Sequence, residues 1–427
     1  MSIRLSPRFV RSSRDAVEPM RIVYLHQYFV TPDQPGGTRS YEMARRLVAA
    51  GHRVDMITTD QQAQGDGPAW RETDEAGIRV HWARQPYDNN MGWLGRMKAF
   101  VGFAVAASRR AASIRDADII FATSTPLTIA IPAIFASRRL KKPYVFEVRD
   151  VWPAVPIALG ALKNPVLQWL AHRLEHVAYH RATRVVALAP GMAEEVARTG
   201  YPPERIDVIP NGCDNDIFGT VSAGGADAFA GYTDWLGDHP LILFAGTLGK
   251  ANNVGYLADV AAAMLARDPD IRFVIIGAGA DRDAIAAHAA KLGVLDRNLK
   301  LVPAVPKRVL AGWIQRASIC LAMFSGPRIL WKDAVQNKFF DALSAGKPVI
   351  SNHEGWQCQI AVEHDVGCAM SSENPDEAAA CLQKYARDTQ WLEGAAVHAK
   401  SLASDRFSRD TLAVQLERCL TAAAKEG

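Results

Sequence analysis

The chain has 427 residues, of which 49% are hydrophobic and 22% charged, and its formal net charge at pH 7 is +4. This length exceeds one ordinary hydrophobic core and predicts two domains of about 150 to 200 residues. The mild charge argues against nucleic acid as a partner, no apolar run approaches the about 20 residues of a membrane span, and six scattered cysteines without a CxxC pair predict free thiols in a reducing cytoplasm.

The N-terminal half shows a strand–helix alternation that starts at residue 20. Residues 1–19 lack the apolar segment of a signal peptide, so we expect a disordered extension. Strands are predicted at 21–26, 53–58, 117–122 and 144–148. A helix is predicted over 38–50, after a loop in which Gly36 and Gly37 let backbone amides approach a ligand. A plain turn is the alternative for this glycine pair.

The alternation restarts at Pro240. Strands are predicted at 241–246, 271–277, 299–302, 319–323 and 348–351, and helices at 253–267, 281–292 and from about Ala334 to Gly346. Short apolar strands alternating with amphipathic helices predict an α/β fold of two doubly wound domains, residues 20–212 and 240–395. Residues 213–239 are then a linker, and helices in 396–427 are expected to pack back on the first domain. Ligands should bind at the carboxyl ends of the strands, in a cleft between the domains.

Asp333 and Asp341 are the most informative functional signal, because they stand eight residues apart with Lys338 between them. On a helix that begins near Ala334, eight residues make about two turns, so both carboxylates should face one side. Carboxylates suit sugar hydroxyls, whereas a lysine and free amides at a helix start suit a phosphate. The pattern therefore predicts a sugar-nucleotide site. A helix N-cap is the structural alternative for Asp333, while a carboxylate on the apolar face, as at Asp341, is costly without partners.

Five segments in chain order resemble the retaining glycosyltransferases of family four, which have the GT-B fold of two facing Rossmann-like domains. The segments are HQYFVTPDQPGGTRSYEMARRL (26–47), FEVRDVWPAVPIALGAL (146–162), VIPNGCDNDIF (208–218), FAGTLGKANN (244–253) and QNKFFDALSAGKPV (336–349). The likeness looks closest to WbuB-type enzymes of bacterial surface polysaccharides. It implies transfer of a sugar from a nucleoside diphosphate sugar, UDP-linked by analogy, to a polyprenyl-diphosphate-linked glycan in O-antigen biosynthesis, on the cytoplasmic face of the inner membrane.

The resemblance also implies roles for individual residues. Asp341 should bind the donor ribose, Asp333 the hydroxyls of the transferred sugar, and Lys338 the diphosphate. Thr247 stands where many members carry an arginine, so a phosphate role passes to Lys250. The implied donor-binding residues are Gly36, Gly37, Thr247, Lys250, Gly277, Val305, Asp333, Asn337, Lys338 and Asp341.

Arg149 and Asp150 complete the catalytic candidates, which are Asp150, Arg149, Asp333 and Lys338. Family members often have a histidine where Arg149 stands. Arginine stays protonated and is no general base, so its expected role is electrostatic, toward a phosphate or an acidic acceptor. Asp150 is expected to orient the acceptor hydroxyl or take its proton. A structural ion pair of Arg149 with Asp150 or Glu147 is the alternative. Arg39 is either a phosphate contact or an exposed helix residue.

No required metal or other cofactor is expected. The DxD pairs at Asp116/Asp118, Asp214/Asp216, Asp268/Asp270 and Asp281/Asp283 flank helices or lie in the linker, and lysine, arginine and helix ends do a cation's work in a GT-B site.

Two aromatic and basic stretches of the first domain suit an anionic membrane surface. They comprise Trp93, Arg96, Lys98, Phe100, Phe103, Arg109, Arg110, Trp169, Arg173, Arg181 and Arg184. Core-packed helices with solvated arginines are the alternative.

Two other functions stay open at this point. A non-hydrolysing sugar-nucleotide 2-epimerase has the same two-domain fold but needs acid/base pairs around C2 of the sugar. A catalytically silent, nucleotide-sugar-binding partner of a transferase complex would account for the histidine and arginine that the chain lacks relative to the family.

Overall fold

The computed structural model describes residues 18–427 except 33, 35, 61–66, 86–92, 125, 151, 159, 161, 220–228, 230 and 327–330. Of the expected extension over 1–19, all but the last two residues lie outside the described part. The chain forms two compact units. The first runs as far as Pro210 and includes Asp410–Gly427, and the second is Asn211–Arg409. Each holds a mainly parallel sheet between helices, so the predicted α/β class with two doubly wound domains is confirmed.

The sheet of the first unit has eight strands in the order β3-β4-β2-β1-β5-β6-β7-β8. They are β1 (Arg21–Leu25), β2 (Arg53–Asp60), β3 (Trp70–Glu75), β4 (Ile78–Arg84), β5 (Ile119–Thr123), β6 (Tyr144–Val148), β7 (Arg184–Ala187) and β8 (Ile206–Val208). The helices are α1 (Arg39–Ala49), α2 (Trp93–Ser113), α3 (Ala130–Leu140), α4 (Ala154–Ala158), α5 (Pro165–Arg181) and α6 (Pro190–Arg198).

The second unit has a six-stranded parallel sheet in the order β11-β10-β9-β12-β13-β14. Its strands are β9 (Leu241–Ala245), β10 (Arg272–Ile276), β11 (Leu299–Val302), β12 (Ile319–Ala322), β13 (Val349–Ser351) and β14 (Gly367–Ala369). Its helices are α7 (Asn215–Phe218), α8 (Thr233–Leu236), α9 (Tyr256–Arg267), α10 (Arg282–Lys291), α11 (Lys307–Arg316), α12 (Asn337–Ser344), α13 (Trp356–Glu363), α14 (Pro375–Arg387) and α15 (Thr389–Ser401).

The last helix, α16 (Arg409–Glu426), belongs almost entirely to the first unit. Its residues Leu412, Leu416 and Leu420 are buried in the same hydrophobic cluster as Tyr24 of β1. Apolar side chains cover both faces of each sheet, because helices pack on both sides of parallel strands.

The predicted central strands are confirmed, and most of their residues are buried. All five residues of β5 and of β6 are buried, as expected for apolar runs inside a parallel sheet. The sequence analysis missed β3, an antiparallel edge strand with four charged side chains, its neighbour β4, and the short strands β7, β8 and β14. No helix in the described residues is long and apolar enough to cross a membrane, and all six cysteines are free thiols.

Candidate functional site

Helix α12 carries the central motif, and it begins three residues later than predicted. Its first residue is Asn337, and Gln336 before it is extended, with φ −86° and ψ 132°. Gln357 holds Gln336 in this conformation, because its Oε1 accepts the Gln336 N–H at 2.9 Å and its Nε2 donates to the Gln336 carbonyl at 3.0 Å. Asp333 therefore lies in the turn before the helix. The expectation that Asp333 and Asp341 share a helix face, and the N-cap alternative for Asp333, are both wrong.

Lys338 lies in the first turn of α12, partly buried, at the carboxyl end of β9. Its Nζ is 4.1 Å from the centroid of the Phe244 ring and 3.4 Å from Asn252 Oδ1. A Cβ on Gly246 would stand 3.2 Å from that Nζ, so a glycine leaves room for the ammonium group. No carboxylate of the described residues pairs with Lys338, and burial lowers its pKa to about 7.

Asp341 lies one turn after Lys338, yet the two form no ion pair in the structure. Burial raises the pKa of Asp341 to about 7; Lys307 and Arg409 oppose that rise, whereas Asp214 adds to it. An acidic group and a basic group thus lie three residues apart on one helix. Burial disfavours the charged form of each, and the two do not form an ion pair that would neutralise them. Groups with such perturbed pKa values are concentrated at functional sites.

The loops after β9 and β10 meet backbone to backbone beside Lys338. A Cβ on Gly277 would lie 2.0 Å from the Gly246 carbonyl oxygen, and one on Gly279 would lie 2.1 Å from that of Leu248. Glycine is therefore required at residue 277 for packing, whatever it contributes to a ligand. In the same region Asn252 Nδ2 donates to the Thr247 carbonyl at 2.8 Å. Asn252 thus links the first loop to Lys338.

The remaining donor candidates differ in setting. Thr247 and Lys250 are exposed, and Lys250 forms no ion pair with the described residues. Asn337 is the first, partly buried residue of α12. The Val305 side chain packs against the hydrophobic core, so only its backbone groups are free for a base.

His353 is a further candidate beside Lys338 that the sequence analysis missed. It follows β13, is 1% exposed, and its ring lies 5.9 Å from Phe324 and 6.2 Å from Trp331, centroid to centroid. Neither ring nitrogen has a hydrogen-bond partner among the described residues. Burial, with the charge of Lys338, lowers the pKa of His353 to about 4, so it is neutral at physiological pH. Its position in SNHEGW, directly after a buried strand, was the available signal.

Arg39 and Glu147 form a fully buried ion pair in the first unit. Arg39 Nη2 lies 2.7 Å from Glu147 Oε2 and donates to the Ile209 carbonyl at 2.8 Å, while Thr123 Oγ1 donates to Glu147 Oε1 at 2.7 Å. Burial alone would raise the pKa of Glu147, but the charge and hydrogen bonds of Arg39 outweigh it, and the pKa is lowered. Arg39 is thus neither a phosphate ligand nor an exposed residue. Both expectations for it are wrong.

Arg149, directly after β6, contacts a histidine that the sequence analysis also passed over. Its Nη1 lies 3.2 Å from His26 Nε2, and its backbone N–H donates to Ser124 Oγ at 2.9 Å. Because Glu147 is engaged by Arg39, the alternative of an Arg149–Glu147 ion pair is wrong. Asp150 beside Arg149 is exposed.

Gly36 has a positive φ of +141°, and a Cβ there would come within 3.2 Å of Val30 Cγ2. Gly36 thus has a backbone reason to be glycine, and Gly37 follows it just before α1.

Several charged and aromatic candidates are structural. Phe103 is 1% exposed in the core, Arg110 bonds His81 Nδ1, and Arg184 pairs with Asp207 at 3.0 Å, which corrects their assignment to a membrane-facing surface. The side chains of Trp93, Arg96 and Lys98 lie outside the described part. Among the DxD pairs, Asp214 is held by Lys307 at 3.0 Å and by Arg409. The described residues contain no cluster of three or more ligating side chains for a metal.

Comparison with known proteins relates both halves to sugar-transferring enzymes. Residues 36–212 match the glycosyl transferase 4-like domain, and residues 239–388 match the glycosyl transferases group 1 family. The chain is 25% identical over 434 residues to a D-inositol 3-phosphate glycosyltransferase of Geodermatophilus obscurus, covering 97% of this chain and 92% of the relative.

Solved structures share the fold. Alr3699/HepE of Anabaena, in complex with UDP and glucose, superposes with a TM-score of 0.70 at 18% identity, covering 94% of this chain and all (100%) of that one. WaaG, a glycosyltransferase involved in lipopolysaccharide biosynthesis, gives a TM-score of 0.65 at 16% identity, covering 94% and 99%.

Proposed function

This chain is a glycosyltransferase of the GT-B fold, built from a glycosyl transferase 4-like domain and a group 1 domain, and on that premise we propose which transfer it catalyses. The donor is a nucleoside diphosphate sugar, UDP-linked, and the acceptor is a hydroxyl of a polyprenyl-diphosphate-linked glycan in surface-polysaccharide synthesis of the O-antigen type. The anomeric configuration is retained. A likeness to a UDP- and glucose-bound structure and to a lipopolysaccharide enzyme supports this proposal.

The observation that carries the proposal is the setting of Lys338. A partly buried cation that contacts a ring and an amide and has no carboxylate partner among the described residues is poised for an anionic ligand. The bond that breaks joins the anomeric carbon to the diphosphate oxygen, and negative charge grows on that oxygen. A preorganised cation stabilises this developing charge most strongly.

The other candidates take complementary roles. Asp341 accepts hydrogen bonds from the ribose hydroxyls and Asp333 from those of the transferred sugar, while the Gly277 loop, Asn337 and the Val305 backbone contact the nucleotide. The transition state is oxocarbenium-like. The acceptor oxygen bonds to the anomeric carbon on the face that the diphosphate leaves, and its proton passes to the departing diphosphate. Arg149 and Asp150 act on the acceptor, and no metal or other cofactor is needed.

The first unit offers a surface suited to the membrane in which such an acceptor resides. Among the residues whose side chains are described, seven of the ten exposed large hydrophobic ones lie on three neighbouring helices, α2, α3 and α5: Val101, Val105, Ile131, Phe135, Val166, Trp169 and Leu170. A cavity of about 570 Å³ lined by Ile131, Ile134, Phe135, Arg138, Arg139 and Leu174 opens on the same helices.

The charge of these helices matches an anionic bilayer. Apart from Arg110, which is engaged by His81, the sequences of α2, α3 and α5 contain seven Lys and Arg and a single acidic residue, Glu175, although the whole chain carries only +4. An apolar face with basic residues binds the headgroup region by burying apolar area and by attraction to anionic lipids. We therefore place the enzyme on the inner face of the bacterial inner membrane.

Transfer is tested with a panel of nucleotide sugars and an extracted polyprenyl-diphosphate glycan. We expect one donor to raise the melting temperature and to yield a glycosidic product whose anomeric proton coupling shows retention. A product of inverted configuration would contradict the retaining assignment, and no transfer from any donor would contradict the whole proposal. The donor incubated alone should not epimerise. The epimerase and the silent partner draw no support from the two matched families, both of which are transferase families.

Membrane attachment is tested separately by vesicle sedimentation. Arg138→Glu with Arg139→Glu should weaken binding to anionic vesicles at least tenfold, because each basic residue near such a surface contributes about 1 kcal/mol. The matched control is Lys291→Glu with Arg308→Glu, the same charge change at exposed residues of the second unit. Equal loss in both double variants would show that net charge, not this surface, governs binding.

A further inference from the structure

The guanidinium of Arg149 is bound by an uncharged residue and not by a counter-ion. Among the described residues the hydrogen-bond partner of its guanidinium is His26, at 3.2 Å from Nη1 to Nε2, and no carboxylate forms an ion pair with it. Glu147, two residues earlier, would be the obvious counter-ion, but Arg39 and Thr123 already occupy both of its carboxylate oxygens. The guanidinium is thus held in place by an uncharged acceptor, and Glu147, whose pKa the charge of Arg149 helps to lower, attracts it without a direct ion pair.

The contact fixes the state of the histidine. A guanidinium donates hydrogen bonds and cannot accept them, so the lone pair on His26 Nε2 must be the acceptor and the ring proton must sit on Nδ1. His26 is 3% exposed, and burial first, then the charge of Arg149, keeps its pKa well below the ordinary value. The imidazole is therefore neutral at physiological pH, in a single tautomer.

We infer that His26 is a positioning residue that holds Arg149 at the carboxyl end of β6 through an uncharged acceptor and so reserves its positive charge for a phosphate ester of the substrate. A carboxylate at the same place would hold the guanidinium equally well but would cancel the charge that a phosphate must meet. The inference rests on the proposed function, because it assigns Arg149 a ligand of that reaction. A phosphate ester occurs both in a nucleoside diphosphate donor and in a lipid diphosphate acceptor.

Three substitutions of His26 distinguish the effect of a hydrogen-bond acceptor for Arg149 from the effect of a charge at residue 26. His26→Gln offers a neutral acceptor, His26→Glu offers an acceptor of nearly the same shape with a negative charge, and His26→Leu offers none. Affinity is measured by titration with UDP, as the donor probe, and with farnesyl diphosphate, a short polyprenyl diphosphate, as the acceptor probe. Melting temperatures of all variants verify that the fold is kept.

We expect His26→Gln to bind both probes within about threefold of the wild type. His26→Glu should weaken one probe by about tenfold to a hundredfold, the usual value of a charge-assisted hydrogen bond. The affinity of His26→Leu for that probe should lie between those of the glutamine and glutamate variants. The probe whose affinity decreases identifies the phosphate group that Arg149 binds. Arg149→Gln should weaken the same probe, and adding His26→Glu to it should cost little more, because the two residues act as one unit.

Equal affinities for the glutamine and glutamate variants would overturn the inference, as would an Arg149→Gln protein that binds both probes like the wild type. If His26→Glu fails to fold, the affinities of His26→Gln, His26→Leu and Arg149→Gln still test the inference. The glutamine variant must then keep the probe affinity that the leucine variant loses. These are binding measurements. They give a result even if the wild type transfers no sugar, which is the failure that would refute the proposed function instead.

Discussion

The carboxyl edges of the two sheets carry buried charge in opposite ways. In the first unit, Arg39 and Glu147 neutralise each other at 2.7 Å with no solvent exposure of either side chain. In the second unit, Lys338 and Asp341 stand three residues apart on one helix without pairing, and burial moves the pKa of each to about 7. A neutralised pair serves the fold, whereas an unneutralised charge costs stability, and we propose that it is retained here for a ligand. The partner of a charged residue, more than its burial, separates structure from function here.

The largest expected effect comes from breaking the neutralised pair. Arg39→Leu leaves Glu147 buried without its counter-ion and should lower the free energy of unfolding by about 3–5 kcal/mol, measured by urea denaturation. The surface control is Arg198→Leu, whose partners Glu194 and Glu195 are solvated, and it should change stability by less than about 1 kcal/mol. Replacing both Arg39 and Glu147 by leucine should recover most of the loss. An Arg39→Leu protein as stable as the wild type would contradict the claim that the Arg39–Glu147 ion pair stabilises the fold.

Removing the unneutralised cation should leave the fold and reduce catalysis. Lys338→Ala is expected to lower turnover by about 10²–10³, the usual loss for one charge-stabilising donor. Lys250→Ala, at an exposed residue with a less strongly supported phosphate role, should reduce turnover less than Lys338→Ala does. Lys291→Ala on α10 serves as the control. Initial rates at saturating donor measure all three. A Lys338→Ala rate within a few-fold of the wild type would exclude Lys338 from the mechanism.

A smaller effect is expected at the glycine beside this site. Gly277→Ala would place a Cβ 2.0 Å from the Gly246 carbonyl oxygen and should destabilise the protein by about 1–3 kcal/mol, as overpacking does. Gly249→Ala is the matched control, because its Cβ would find its nearest neighbour at 4.0 Å. Thermal melts of the two variants compare them. Equal melting temperatures would mean that Gly277 is not required for packing.

The sequence predicted the strands better than the charges. Apolar runs such as 119–123 are visible to any periodicity argument, because a parallel strand buried on both faces is apolar throughout. The edge strand β3 was missed because its polar side chains face solvent and resemble a loop. The start of α12 was missed because Gln357, 21 residues downstream, holds Gln336 extended.

Partners could not be predicted, since they join distant parts of the chain. Arg39 and Glu147 are separated by 108 residues and His26 and Arg149 by 123, so neither contact leaves a local pattern. Lys338 was identified because it stands between two acidic residues. Its environment of Phe244 and Asn252 became known only from the fold.

The most direct test of the account is the pH dependence of UDP affinity. Burial lowers the pKa of Lys338 from 10.5 to about 7, so above pH 7 the free protein holds a neutral amine, and a diphosphate must bind together with a proton. The dissociation constant of the wild type should therefore rise up to about tenfold per pH unit above pH 7, whereas Lys338→Ala and Lys338→Arg should lack this slope, because neither gains a proton on binding. Identical profiles for the wild type and both variants would contradict the claim that Lys338 supplies the charge for the diphosphate.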